Sequence, residues 1–201
     1  MELARLLEPR RRDPPAQATG DVQALAHPDW LWHRLTVSGD IDQLWAFQRA
    51  AAGAGVTPWV HDDDAVEEQL VSAMLLQPRR TVSLAGVKII ARQLRDLLRE
   101  EHEDACAWVG RSQACPFDLH ALMPVPWEML RLGPDAAASR RWMWEHWGTT
   151  WSLRKVQRLP CPSAWRVGFF SADWTPWPVL RVCRERWPGL TFKLAVEYPP
   201  G

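Results

Sequence analysis

Leu31, His33, Leu35 and Val37 alternate with Trp32, Arg34 and Thr36, which is the period of a β-strand over 31–38. Ser38-Gly39 then turns the chain, and Asp40-Ile41-Asp42-Gln43 has the form of a helix cap. Ile41, Leu44, Trp45, Gln48 and Ala51 share one face of the helix predicted over 40–53, which closes near Gly53 and Gly55. Where a second strand is due, the pattern stays helical. Asp62-Asp63-Asp64 places negative charge at a helix start, where the macrodipole favours it, with Val66, Leu70, Ala73 and Met74 behind it as far as Pro78. A longer helix runs from about Ser83 to Val109, with Leu84, Val87, Ala91, Leu94 and Leu98 on its apolar face. Arg92, Arg95, Arg99, Glu100, Glu103 and Asp104 lie opposite, a mixed-sign face that reads as solvated.

Phe117 to Leu122 alternates briefly until Pro124 and Pro126 stop it, and a helical turn at Trp127–Leu132 ends on Gly133. Asp135 opens a helix containing Trp142, Trp144 and Trp147, which Gly148 closes as a C′ glycine does. The remainder reads strand (151–159), turn (Pro160-Cys161-Pro162-Ser163), strand (165–172), helix (175–187) and strand (190–198). Thr175-Pro176 is the expected N-cap and N1 pair of that helix; Val179, Leu180, Cys183 and Trp187 face inward, and Pro188-Gly189 ends it. Leu35, Val37, Leu44, Val167, Phe169, Leu180, Phe192 and Leu194 are the expected shared core. With 56–148 set aside as a helical insertion between the first helix and the second strand, the order is βαββαβ. Two right-handed crossovers in that order predict an α+β, ferredoxin-like antiparallel sheet of four strands with both helices on one face. Residues 30–201 are then a single domain. Residues 1–29, with Pro9, Pro14, Pro15, Gly20 and Arg10-Arg11-Arg12, read as a flexible N-terminal arm.

Trp147-Gly148-Thr149-Thr150-Trp151, preceded by Pro116-Phe117-Asp118 and Met123-Pro124, resembles the signature of the Api-type ferredoxin-like family of phage, plasmid and bacterial proteins. Phe169-Phe170-Ser171-Ala172-Asp173-Trp174-Thr175-Pro176 through Tyr198-Pro199-Pro200-Gly201 resembles its further hallmark, so the likeness spans about 116–201. His146 stands where that family is expected to have Asn, and Thr150 where it is expected to have Lys. The resemblance implies a ferredoxin-like domain, a link to mobile elements and no particular activity.

Composition narrows the chemistry. Lys plus Arg (24) equals Asp plus Glu (24), so the chain as a whole makes no electrostatic case for nucleic acid or acidic lipid. Lys occurs only at 88, 155 and 193 and Asn not at all, a bias that GC-rich codons produce by themselves. No apolar run approaches the roughly 18 residues of a membrane span, and the N-terminus has no h-region, so a cytoplasmic location is expected. Cys106, Cys115, Cys161 and Cys183 have no C-x-x-C spacing and read as thiols.

Three groups are candidates for function. His102 and Cys106, four apart on one helix face, form with Cys115 and His120 the best metal set, though without a standard zinc spacing; the expectation is no metal and no cofactor. Glu145 and His146 point about 100° apart on a helix, and Asp173 at a strand end is either an active-site acid or, as we read it, a turn carboxylate. No G-x-S-x-G, P-loop, Rossmann or H-E-x-x-H motif is present. The last group belongs to the 14 tryptophans: Trp147, Trp151, Trp174 and Trp177 flank strand ends. They form either a surface for a partner chain or for stacked bases, or a core cluster that locks the insertion to the sheet. The core reading is preferred, because the strands carry no RNP-type run. Together these features predict a non-catalytic binding or regulatory module, with a protein partner ahead of nucleic acid. The alternative is a small enzyme using Asp173, His146 or the His/Cys group.

Overall fold

A computed structural model describes residues 29–76 and 82–197. The expected N-terminal arm, apart from Asp29, lies outside the described residues, as does Tyr198 at the end of the last expected strand. The elements in order are β1 (Trp30–Gly39), α1 (Ile41–Ala51), α2 (Asp63–Leu75), α3 (Leu84–Cys106), α4 (Leu119–Leu122), α5 (Trp127–Leu130), α6 (Ala137–His146), β2 (Arg154–Arg158), β3 (Trp165–Ala172), α7 (Trp177–Arg186) and β4 (Leu190–Glu197). The four strands form one antiparallel sheet in the order β2-β3-β1-β4, giving an α+β protein.

Local side-chain chemistry sets most helix starts. The carboxylates of Asp40 and Asp62 accept N–H bonds from the first turns of α1 and α2, and the Ser83 hydroxyl does the same for α3. Asp118 accepts from the His120 and Ala121 N–H groups. That cap is why 117–122 winds into a helical turn and does not stay extended as its alternation suggested. Two expected caps do not form. Asp135 pairs with Arg140 at 2.6 Å and α6 starts without a side-chain cap, while the Thr175 hydroxyl is engaged by His33 and leaves the cap of α7 to Pro176. The second strand also begins later than its apolar pattern implied, at Arg154, and a register shift separates Arg154 from Gln157. Lys155 lies in that shift with φ 48, the conformation of a bulge residue.

Alternation puts His33, Leu35 and Val37 of β1 and Trp165, Val167 and Phe169 of β3 on one buried face. Helices α1 and α7 pack there. Phe47 stands at the centre, edge-on to Trp165, Trp187 and Phe192 with ring centroids 5.2–5.3 Å away. The buried stripe of α1 is Leu44, Phe47 and Ala51, rotated from the expected face, so Ile41 points outward and Trp45 is 58% exposed. The aromatic partners on the sheet favour Phe47 over Trp45 as the inward residue. Leu35, Val37, Leu44, Val167, Phe169 and Leu180 share the core as expected, with Phe192 and Leu194 at its border.

The residues between α1 and β2 divide in two. Phe117, Leu119, Leu122, Val125, Leu130, Met143 and Trp147 join the same core as the sheet. Helices α2 and α3 instead pack on each other, and of their described residues only Val87 and Ala91 are buried. The polar face of α3 is not merely solvated. Arg95 bonds Glu67, and Arg99 bonds Asp63 at 3.0 Å, which clasps the two helices together. Being at the surface, such pairs contribute at most about 1 kcal/mol each.

Gly148 has φ +81 and its N–H bonds the Met143 carbonyl at 3.0 Å, so it ends α6 in the left-handed conformation expected of it. A Cβ there would lie 2.4 Å from Pro178 Cδ and 3.0 Å from the Thr175 carbonyl. The preceding Trp147 is 0% exposed and donates its indole N–H to Met123 O at 2.9 Å. Thr149 donates to the carbonyl of Ala172 at 3.0 Å, which ties the junction to the end of β3 and not to the helix end.

Two stability outcomes follow from this packing. Phe47→Ala should cost about 3–5 kcal/mol, measured by denaturant unfolding, whereas Trp45→Ala should cost well under about 1 kcal/mol. Gly148→Ala should cost at least about 2 kcal/mol, because backbone strain and the clash with Pro178 add; a melting temperature unchanged from the parent would show that the junction is not under this constraint.

Candidate functional site

The sequence-derived chemical candidates do not converge. His102 and Cys106 lie together, Sγ to Nε2 3.3 Å, at the C-terminal end of α3, where His102 Nε2 also faces the Trp59 carbonyl at 2.9 Å. Cys115 and His120 belong to a different place, a void of only about 10 Å³ beneath the junction with β2. There the Cys115 thiol donates to Phe117 O at 3.4 Å, and His120 Nδ1 accepts the Val125 N–H at 3.2 Å. Burial raises the Cys106 thiol and pushes Cys115 up to about 11, so both carry their protons at neutral pH. Among the described residues no three His, Cys, Asp or Glu side chains are grouped to hold a metal ion.

Asp173 is a structural clamp. It sits at φ 60, receives the Asp29 N–H at 2.9 Å on one oxygen and the Thr150 hydroxyl at 3.4 Å on the other, and its own N–H bonds Asp29 O. His146 stacks on Trp142 at 4.4 Å and donates Nδ1–H to the Trp142 carbonyl, while Glu145 is exposed. The four expected tryptophans separate as well. Trp147 is core, but Trp151, Trp174 and Trp177 are 38%, 56% and 51% exposed, so the single core cluster is not what forms. Each of the three follows a turn or opens a helix at the surface, where only part of an indole finds cover.

A cleft of about 690 Å³ opens between α2, α3 and residues 56–61. Val56, Trp59, Val66 and Leu98 make it mostly apolar, and His61 meets His102 edge-on at its rim, ring centroids 4.5 Å apart. Arg95 and Arg99 at its wall are already paired with the carboxylates of the clasp.

The second face of the sheet carries a different surface. No helix that touches the sheet packs on it; α1 and α7 occupy the opposite face. Residues out of phase with the core stand here: Trp30, Trp32 and Arg34 of β1, Arg166 and Phe170 of β3, Arg154 of β2 and Lys193 of β4. Trp32 is directly opposite Phe170, with ring centroids 4.8 Å apart, and its indole leans across Gly168, where any Cβ would meet it at 2.3 Å. The Arg154 guanidinium lies 4.1 Å from the Trp30 ring centre and 5.9 Å from that of Trp151. Lys155 Nζ approaches Phe170 at 5.8 Å, placed there by the bulge. Sequence reasoning passed over Trp30, Trp32 and Phe170 as a group. The signal was present: aromatic residues occupied the strand phase that should have been polar.

Beneath this face His33 is fully buried, stacked on Phe169 at 5.3 Å. Its Nδ1–H donates to Leu31 O and its Nε2 accepts the Thr175 hydroxyl, each at 2.9 Å, so the neutral imidazole satisfies both partners.

No family model matches the chain, and no curated protein does. Among solved structures, the chain is similar to the crystal structure of a protein api92 from Yersinia pseudotuberculosis, of family model DUF1281. The two share 12% identity over 86% of this chain and 91% of the other, at a TM-score of 0.47. That protein is of the Api type, the group that residues 116–201 resemble. No residue of this chain takes a role from it.

Burial lowers the pKa of His33, and in the same direction those of His61 and His120. The native state therefore binds fewer protons than the unfolded chain below the unfolded value near 6.5. Stability should be full above that pH and fall as the pH drops from about 7.5 to 5.5. A thermal-melt series should show this slope, reduced in His33→Gln; a melting temperature flat across the window would contradict the neutral buried imidazole.

Proposed function

We propose that this protein is a non-catalytic binding module that works through the uncovered face of its sheet. The carrying observation is the set of Trp30, Trp32 and Phe170, held side by side on two central strands with Arg154 and Lys155 over their rings. Aromatic residues on an unpacked sheet face expose apolar area that a bound partner would bury. The scaffold is read as a ferredoxin-like βαββαβ domain over 30–201, with 56–148 inserted before β2. The strand order β2-β3-β1-β4 and the shared core of α1 and α7 support that reading. The four cysteines, all free, fit a reducing cytoplasmic setting. Among the described residues no helix is long and apolar enough to cross a membrane. The link to mobile elements rests on the motif resemblance alone.

One observation keeps the enzyme alternative: the cleft of about 690 Å³ with His61 and His102 at its rim. Asp173 and His146 lie outside its lining, and its Cys106 is a protonated thiol, so acid–base work there falls to the two imidazoles.

Affinity purification of the tagged chain from its native cells, compared with a Trp32→Ala/Phe170→Ala variant, tests the module. The variant should keep its fold by circular dichroism and lose most of the retained material, whether protein or nucleic acid. Retention unchanged in the variant, but lost in His61→Ala/His102→Ala, would move the function to the cleft.

A further inference from the structure

Resting on the binding-face reading, we infer that the occupant of this face is single-stranded nucleic acid, with bases stacked on Trp32 and Phe170 and phosphates held by the surrounding cations. A net charge of zero over the whole chain had placed protein ahead of nucleic acid. The charge on this face alone points the other way. Arg34, Arg154, Lys155, Arg166 and Lys193 come from all four strands, against one carboxylate, Glu197, which Arg34 pairs at 2.7 Å. The remaining four cations have no carboxylate partner on the face. Arg166 Nε donates to Thr36 at 3.2 Å, which leaves the rest of its fork for another acceptor. Arg154 lies against the Trp30 ring, an arrangement that keeps its N–H edge available for a phosphate while its plane stays stacked.

The aromatic part has the geometry that stacking needs. Trp32 and Phe170 are cross-strand partners at the middle of the sheet, and Trp30 follows two residues away on the same face, about 7 Å along β1. Gly168 gives the Trp32 indole room to lie over β3. A flat sheet flanked by cations takes a strand whose bases are splayed outward. A duplex hides its bases inside the stack and offers this platform only its backbone. An acidic protein segment would satisfy the cations but would leave three aromatic rings without a matching flat surface. RNA and DNA single strands share the chemistry that this face recognises, and the test separates them.

The test is fluorescence anisotropy of labelled 15-mers, U15 and dT15, with a 15-base-pair duplex and polyglutamate as competitors, on the full chain. Both single strands, or one of them, should bind at micromolar concentration or tighter in 50 mM salt, and the duplex and polyglutamate should compete poorly. Trp32→Ala should weaken binding by roughly 5- to 100-fold. Log affinity should fall with log salt at a slope of about −2 to −3, for three or four phosphate contacts. Arg154→Gln/Lys155→Gln, a surface change that leaves the core alone, should flatten that slope by about 1. Trp45→Ala, an exposed tryptophan on the far side of α1, should change nothing.

No binding of either oligonucleotide, or binding that Trp32→Ala and Arg154→Gln/Lys155→Gln leave intact, overturns the assignment. Polyglutamate competing as well as U15 also overturns it, in favour of an acidic partner. In each case the purification comparison above still decides independently whether the face binds anything.

Discussion

The fold depends on the aromatic contact that Phe47 makes between α1 and the sheet. Three rings, from β3, β4 and the end of α7, meet it edge-on, so one side chain fixes the distance of both crossover helices from the strands. Edge-to-face rings prefer this arrangement to parallel sandwiching, and each pair adds about 0.5–1.5 kcal/mol beyond area burial. Phe117, stacked toward Phe169 at 5.3 Å, extends the cluster to the inserted residues. Packing of this kind is one-sided. It commits α1, α7 and the α4–α6 segment to a single face and leaves the other face of the sheet to whatever its side chains attract.

That asymmetry connects core to candidate site. His33 and Trp32 are neighbours in β1 with opposite surroundings, one buried against Phe169 and Thr175, the other leaning over Gly168 on the open side. The junction after α6 has a similar double role. Trp147 and Thr149 anchor it inward, whereas Trp151 emerges beside Arg154, which in turn stacks on Trp30. The edge of the open face is thus set by the same five residues that attach the insertion.

The α2–α3 hairpin stands apart from this logic. It buries little and is held by charge pairs and by its own contact, so the cleft beside it is bounded by the least embedded part of the molecule. A catalytic site needs side chains held by packing and by surrounding hydrogen bonds. The sheet face, backed by the main core, meets that requirement of rigidity better.

The elements and their order were legible in the sequence because period and capping are local. Alternation defined β1, β3 and β4; Asp40, Asp62, Ser83 and Gly148 marked helix ends that the structure keeps. Most of the core was legible for the same reason. What sequence could not decide was which of two plausible partners a side chain would find across the fold. Trp45 or Phe47 inward, Thr175 as cap or as partner of His33, and Asp135 as cap or as partner of Arg140 are choices between nearly equal local options. Contacts distant in the chain settled each one. The separation of His102 and Cys106 from Cys115 and His120 has the same origin, since their meeting depended on where α3 lay relative to the core. The open aromatic face needed tertiary structure most of all. Trp32 and Phe170 are 138 residues apart in the chain, and only the antiparallel pairing of β1 with β3 makes them one surface.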